Sequence, residues 1–144
     1  METHRMVGHL IRRLNQGSTQ AFTRHMQAHG TDLTSVQFAA MDAIVTNPGI
    51  DQAGVAALIA YDRATIGGVI DRLEQKGLVL RQVSKRDRRA RELRATEKGL
   101  ALFSEILPVV RALQDDILPG LTEDERRQFF DLARKAIGGD AAAE

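Results

Sequence analysis

The stretch from Ile50 to Lys98 constrains this chain more than any other, because helical and strand-like periods follow one another there with a turn signal at each junction. Asn47-Pro48-Gly49 makes a turn, and Asp51 just after it is a good helix N-cap. Val55, Leu58 and Ile59 then recur at helical spacing as the expected buried stripe. A second helix is expected from Asp62, again a capping residue, to Lys76, with Gly77 closing it. Ile66, Val69, Ile70 and Leu73 cluster on one side of this helix. Ala64, Gly67, Gly68, Asp71 and Gln75 lie opposite, flanked by Arg63, Thr65 and Arg72. Two consecutive glycines in an exposed helix each cost about 1 kcal/mol relative to alanine, so a helix that only packed would gain nothing from them.

After Gly77, the run from Leu78 to Val83 reads as a strand, 84–90 as a tip, and Arg91 to Ala95 as a return strand. Between 81 and 98, Arg81, Lys85, Arg86, Arg88, Arg89, Arg91, Arg94 and Lys98 face only Asp87, Glu92 and Glu97. The local charge is therefore +5, in a chain whose total is +1. Helix, turn, helix, strand, basic tip and strand is the order of a winged helix-turn-helix, which implies double-stranded DNA as a partner. A small-sided helix face fits a major groove, and arginines at a hairpin tip neutralise phosphates or enter a narrow minor groove. On this reading Arg63 and Thr65 read the major groove, Gly67 and Gly68 permit close approach, and Gln52 and Arg72 contact the backbone. Lys85, Arg86, Arg88 and Arg89 form the wing contact, with Arg88 or Arg89 in the minor groove. The bland alternative is a solvated charged loop.

The pieces Asp62-Arg63-Ala64-Thr65-Ile66 and Ile70-Asp71-Arg72-Leu73-Glu74-Gln75-Lys76-Gly77-Leu78-Val79 resemble the MarR family of winged-helix regulators. So do Arg86-Asp87-Arg88-Arg89-Ala90 and Leu93-Arg94-Ala95-Thr96-Glu97-Lys98-Gly99, and the similarity extends over essentially the whole chain. The resemblance implies a mainly α fold with a small β-hairpin wing, N- and C-terminal dimerisation helices, and a homodimer on an inverted-repeat operator. Two departures concern the site. Ser84 stands where the family's wing usually opens with an aspartate, and Gly68 where many members carry a larger, often basic residue.

The chain's 144 residues suit one domain with a real core. It divides in expectation into a DNA-binding lobe over 34–98, dimerisation helices over 1–30 and 99–138, and a disordered tail over 139–144. No apolar stretch approaches the ~18 residues that span a bilayer, and the N-terminus lacks a signal-peptide apolar segment. A cytoplasmic protein with no membrane partner is expected. The absence of cysteine fits that, excludes disulfides, and removes the cysteine-oxidation branch of the family.

One helix is expected over 2–28, with Met6, Leu10, Ile11, Leu14, Ala21, Phe22 and Met26 as its stripe. A second begins at the capping box of Thr34 to Gln37 and stops at Asn47. Thr96 caps a long helix to about Leu118, with Leu100, Phe103, Leu107, Val110, Leu113 and Ile117 on one side and a kink expected at Pro108. Thr122 opens the last helix with a second capping box; Phe129, Phe130, Ala133 and Ile137 are its sticky side. These terminal stripes exceed what a ~50-residue winged helix needs, and apolar surface left over usually means a partner, most simply a second copy. The alternative is packing within one monomer.

No phosphate loop, nucleophile elbow or His-Glu-x-x-His helix occurs, so no catalytic residue, cofactor or enzyme activity is expected. All four histidines fall within the first 29 residues, and His25 with His29, four apart, more plausibly serve the surface or a cap than a metal. Regulators of this kind commonly answer to small aromatic carboxylates. His9, Arg12 and Arg13 offer charge for the acid, and Gln37, Phe38 and Met41 a wall for the ring; the alternative is that Arg12 and Arg13 face solvent or a partner chain and that Phe38 and Met41 are core. The resulting expectation is a ligand-responsive repressor; the alternatives are a winged helix that docks protein, and a constitutive DNA-binding protein without effector.

Overall fold

The computed structural model describes residues 1–139. They form two compact units: Phe22–Arg111, and Met1–Ala21 together with the C-terminal residues from Ala112 onward. Helices α1 (Val7–Ala28) and α5 (Glu97–Leu113) each run from one unit into the other. Among the described residues no helix is long and apolar enough to cross a membrane.

In the central unit, α2 (Ser35–Thr46) starts on the expected capping box: Gln37 N donates to Thr34 Oγ1 at 3.1 Å, and Thr34 N donates to Gln37 Oε1 at 3.2 Å. Its inward positions Gln37, Ala40, Met41 and Ile44 are buried at helical spacing. The side chain of Asp51 then caps α3 (Gln52–Leu58) by accepting from Gly54 N at 2.7 Å. Val55 and Ala56 are the buried pair of this seven-residue helix, while Leu58 is 61% exposed. The helical period sets Leu58 roughly 110° from the centre of the arc shared by Val55 and Ala56, so it cannot join the stripe expected of it.

At the end of α3, Tyr61 N reaches back to Ala56 O at 2.9 Å and Ala60 N to Ala57 O at 3.4 Å, with Ala60 left-handed at φ +54. This is the closure usually made by glycine. The next helix, α4 (Ile66–Gln75), starts four residues later than expected from Asp62. Asp62 Oδ1 accepts from Ala64 N, two residues on, at 3.1 Å, and its carbonyl accepts from Thr65 N at 3.1 Å. The carboxylate thus closes a turn that competes with helix, and Arg63 and Thr65 sit in that turn. Ile66, Ile70 and Leu73 bury the inner face of α4. Gly77 ends it at φ +74, with Leu78 N on Leu73 O at 3.0 Å.

Strands β1 (Val79–Val83) and β2 (Arg91–Ala95) pair antiparallel, with Val79 opposite Ala95 and Val83 opposite Arg91. The other edge of β2 is also taken. Leu93 N donates to Ile50 O at 2.8 Å, and Gly49 N to Leu93 O at 2.9 Å. The wing is thereby fastened to the residues that lead into α3.

Helix α5 lands on the exit of α4. Thr96 N donates to Leu78 O at 3.0 Å, Thr96 Oγ1 to Gly77 O at 2.6 Å, and Gly99 N to Thr96 Oγ1 at 3.0 Å. A β-carbon on Gly99 would lie 2.1 Å from Leu78 O and 3.1 Å from the Met41 methyl. Beyond Thr96, Ile106 is fully buried and Leu100 is 46% exposed, which rotates the apolar face from the one expected.

In the other unit, the expected first helix is broken at Met6. Glu2–Arg5 form a 3-10 turn, Met6 is extended, and its carbonyl receives His9 N at 3.1 Å to start α1. None of residues 2–5 is buried, so nothing beyond the turn holds a continuous helix there. At its far end α5 tightens into a 3-10 turn over Gln114–Asp116 rather than running to Leu118. Asp115 and Asp116 at a helix C-terminus oppose the helix dipole, which disfavours further α-helix. Helix α6 (Glu123–Ala136) opens on the Thr122 capping box, whose backbone and hydroxyl donors hold the Glu125 carboxyl below its ordinary pKa. The expected tail lies, apart from Gly139, outside the described residues.

Replacing Gly99 with alanine should destabilise the protein by at least about 2 kcal/mol, because the clash is with backbone that cannot rotate away. Urea unfolding measures this, and a loss below about 0.5 kcal/mol would show that α5 does not rest on Leu78.

Candidate nucleic-acid interface

The basic residues of the central unit are presented by two devices, the turn into α4 and the β1–β2 tip. Gln52, the first residue of α3, is half-buried; Arg63 and Thr65 are exposed in the turn. Thr65 Oγ1 donates to Asp62 O at 3.2 Å. Gly67 stands beside Gln52, whose Nε2 would be 3.6 Å from an added β-carbon, whereas a β-carbon on Gly68 would meet open space. That open position lies on the face of α4 away from Ile66, Ile70 and Leu73.

The tip is braced by the residue that departs from the family pattern. Ser84 is 7% exposed, and its Oγ accepts from Arg86 N at 3.2 Å and Asp87 N at 3.3 Å. Ser84 N donates to Ala90 O, Ala90 N to Asp87 O, and Arg89 N to Asp87 Oδ1, each at 3.0 Å. A hydroxyl therefore does the bracing that a carboxylate could do, without adding negative charge to the tip. Lys85, Arg86, Arg88 and Arg89 are left pointing to solvent.

Between turn and tip is a cleft of about 420 Å³. Gln52, Arg63, Arg89 and Arg91 line it together with Asp51 and Asp87. Both carboxylates accept backbone N–H groups, from Gly54 and Arg89. Among the described residues, no carboxylate is within ion-pair distance of Arg63, Arg88 or Arg89. Of the residues expected to touch DNA, the structure thus gathers Gln52, Arg63 and Arg89 around one opening, with Gly67 beside Gln52. Lys85, Arg86 and Arg88 are on the tip outside the cleft lining, and Arg72 is exposed in the last turn of α4.

The residues expected to hold an effector belong to different units. His9, half-buried, stacks on His4 with ring centroids 4.6 Å apart, and Arg12 and Arg13 are exposed on α1. On α2, Phe38 lies between Phe22 at 5.9 Å and Phe103 at 5.3 Å. Met41 is a core residue at 2% exposure. Gln37 is buried, and its oxygen also accepts from Lys76 Nζ at 2.9 Å, a partner that sequence spacing did not reveal. His29 Nε2 meets Glu105 Oε1 at 3.0 Å, and the described residues contain no cluster of three metal-binding side chains.

A sequence profile described as MarR family matches residues 33–90. The transcriptional repressor NicR of Pseudomonas putida is 34% identical over 137 residues, covering 95% of this chain and 85% of NicR. The chain belongs to the MarR family of transcriptional regulators. Among solved structures of MarR-type regulators, PcaV of Streptomyces coelicolor in complex with its natural ligand is 32% identical, with a TM-score of 0.81 over 100% of this chain and 98% of PcaV. BpsR of Bordetella bronchiseptica, whose DNA binding is regulated by 6-hydroxynicotinic acid, is 30% identical with a TM-score of 0.82 over 94% and 95%. These relatives are regulators rather than enzymes.

Replacing Ser84 with alanine should leave global stability within about 1 kcal/mol while speeding amide exchange at Arg86 and Asp87 roughly fivefold or more. Ser84→Asp should restore the slow exchange. Unchanged exchange in Ser84→Ala would remove the hydroxyl as the brace of the wing.

Proposed function

We propose that this chain is a cytoplasmic, homodimeric repressor that binds an inverted-repeat operator and leaves it when a small aromatic carboxylate binds. The observation that carries the reading is the cleft where Arg63 and Arg89, unpaired by any carboxylate among the described residues, flank Gln52 at the small-residue start of α4. Arg63 and Thr65 would contact base edges, and Gly67 and Gly68 would let the helix start approach closely. Gln52 and Arg72 would take phosphates. Lys85 and Arg86 would add phosphate contacts, and Arg88 or Arg89 would enter the minor groove.

The dimer is supported by apolar surface in the N- and C-terminal unit. Val7, Leu10 and Ile11 of α1 are 71%, 53% and 58% exposed, and Phe130, Leu132 and Ile137 at the other end are 59%, 66% and 84% exposed. A second copy interleaved over these faces would set two recognition helices about 34–36 Å apart, one turn of duplex. For the effector, the relatives supply the support: the repressor name of NicR and the 6-hydroxynicotinic acid response of BpsR. His9, Arg12 and Arg13 on α1 would take the carboxylate; within the central unit Met41 is enclosed in the core and Phe38 is stacked between Phe22 and Phe103. Release follows if the acid binds better to a dimer whose half-site spacing no longer fits the duplex.

Fluorescence anisotropy with the DNA upstream of the chain's own gene tests this. Specific, salt-dependent binding is expected, and Arg89→Ala should weaken it and lower the salt slope by about one charge. Millimolar 6-hydroxynicotinate or a similar aromatic acid should release the wild-type protein. Absent or salt-insensitive binding would instead favour a winged helix that docks protein, and binding indifferent to aromatic acids would leave a constitutive regulator.

A further inference from the structure

Lys76, the C-cap residue between α4 and Gly77, is held from three directions within the central unit. Its ammonium donates to Gln37 Oε1 at 2.9 Å and pairs with Asp32 Oδ1 at 3.0 Å, while its carbonyl accepts Lys98 Nζ at 2.8 Å. The Gln37 contact is the substantial one. Gln37 is 8% exposed, and the same oxygen closes the capping box of α2, so the bond is charge-assisted and partly shielded from water. Asp32 is 88% exposed, so its pairing adds little to stability. The bond and charge of Lys76 nonetheless hold the Asp32 carboxyl below its ordinary pKa. That small contribution is present above the ordinary aspartate range and is lost as pH falls below it.

Resting on the DNA-binding reading above, we propose that Lys76 is a positioning residue for operator recognition. It fixes the exit of α4 to the entry of α2, and so sets where the opposite end of the helix points, without touching DNA itself. Gly68 is eight residues, about 12 Å, back along the helix. A reading helix must be held within about 0.5 Å to align with base edges, and a rigid rod loosened at one end is displaced at the other. Lysine suits the task because its four-carbon stem carries a charge back to a buried amide oxygen that already serves another helix. Gln37 is then shared between α2 capping and α4 placement, so anything that draws away its oxygen also loosens the recognition helix.

The test compares wild type, Lys76→Met, Lys76→Arg and Asp32→Asn. An operator duplex selected from a randomised pool with the wild-type protein is titrated by anisotropy across a range of KCl, alongside amide exchange on the free proteins. Lys76→Met should weaken operator binding about tenfold with an unchanged salt slope, because no phosphate contact is lost. Lys76→Arg should recover most of the affinity, and Asp32→Asn should lose less than threefold. Amide exchange from Arg72 to Gly77 should quicken in Lys76→Met. Unchanged affinity, or a slope lowered by about one charge, would overturn the proposal, the latter by making Lys76 a phosphate contact. Should the pool yield no duplex, the DNA-binding reading fails, and this proposal with it for DNA; amide exchange then still decides whether Lys76 secures α4. Should Lys76→Met not fold, Asp32→Asn combined with Gln37→Glu is measured instead. It keeps a capping-box acceptor and moves the counter-charge onto α2, and affinity below a third of wild type would contradict the shared-oxygen arrangement.

Discussion

The contact on which the central unit depends is backbone against backbone, where Gly99 lies on the carbonyl of Leu78 with no room for a β-carbon. Leu78 is at the seam between α4 and β1, and Thr96 fastens the same seam through Gly77 O and Leu78 O. Helix α4, the wing and the start of α5 therefore meet at one point, with Gly99 directly against the backbone and the short Thr96 side chain bonded across it. Close-packed junctions of this kind transmit displacement rather than absorb it. That is the mechanical property a recognition helix needs if events elsewhere in the chain are to be felt at its exposed end.

The second constraint is electrostatic. Acidic groups near the basic cleft are occupied by the backbone: Asp51 caps α3, Asp87 closes the tip, and Asp62 closes the turn before α4. Each carboxylate secures local structure by accepting N–H groups, which leaves neighbouring guanidinium groups unpaired. Ser84 continues the arrangement by bracing the wing with a neutral group. The result is a surface whose positive charge is solvated in the free protein and is neutralised most favourably by an ordered array of anions outside it, as along a duplex.

Much of this was legible in the chain itself. Capping residues place the starts of α2, α3 and α6, and β1 and β2 lie where the apolar run after Gly77 and the basic tip put them. What was not legible came from competition between equally local rules. Asp62 has a capping residue's chemistry, yet its carboxylate closed a turn, and α4 began at Ile66. Leu58 has helical spacing from Val55, but the core reaches α3 from the side of Ala56. The pairing of Gly49 and Ile50 with Leu93, and the bond from Lys76 to Gln37, join residues some 40 positions apart, where periodicity carries no information. Phe38 and Met41 are open from the sequence to two readings, pocket wall or core, and packing encloses Met41 and stacks Phe38 between two rings.

The most direct measurement of the central claim, that turn and wing form one DNA-facing surface used twice, is hydroxyl-radical and methylation footprinting on a selected operator. The account predicts two major-groove contacts one helical turn apart, each flanked outward by a protected minor groove where a wing enters. Protection of a single site without symmetry, or of the major grooves with fully accessible flanking minor grooves, would contradict it.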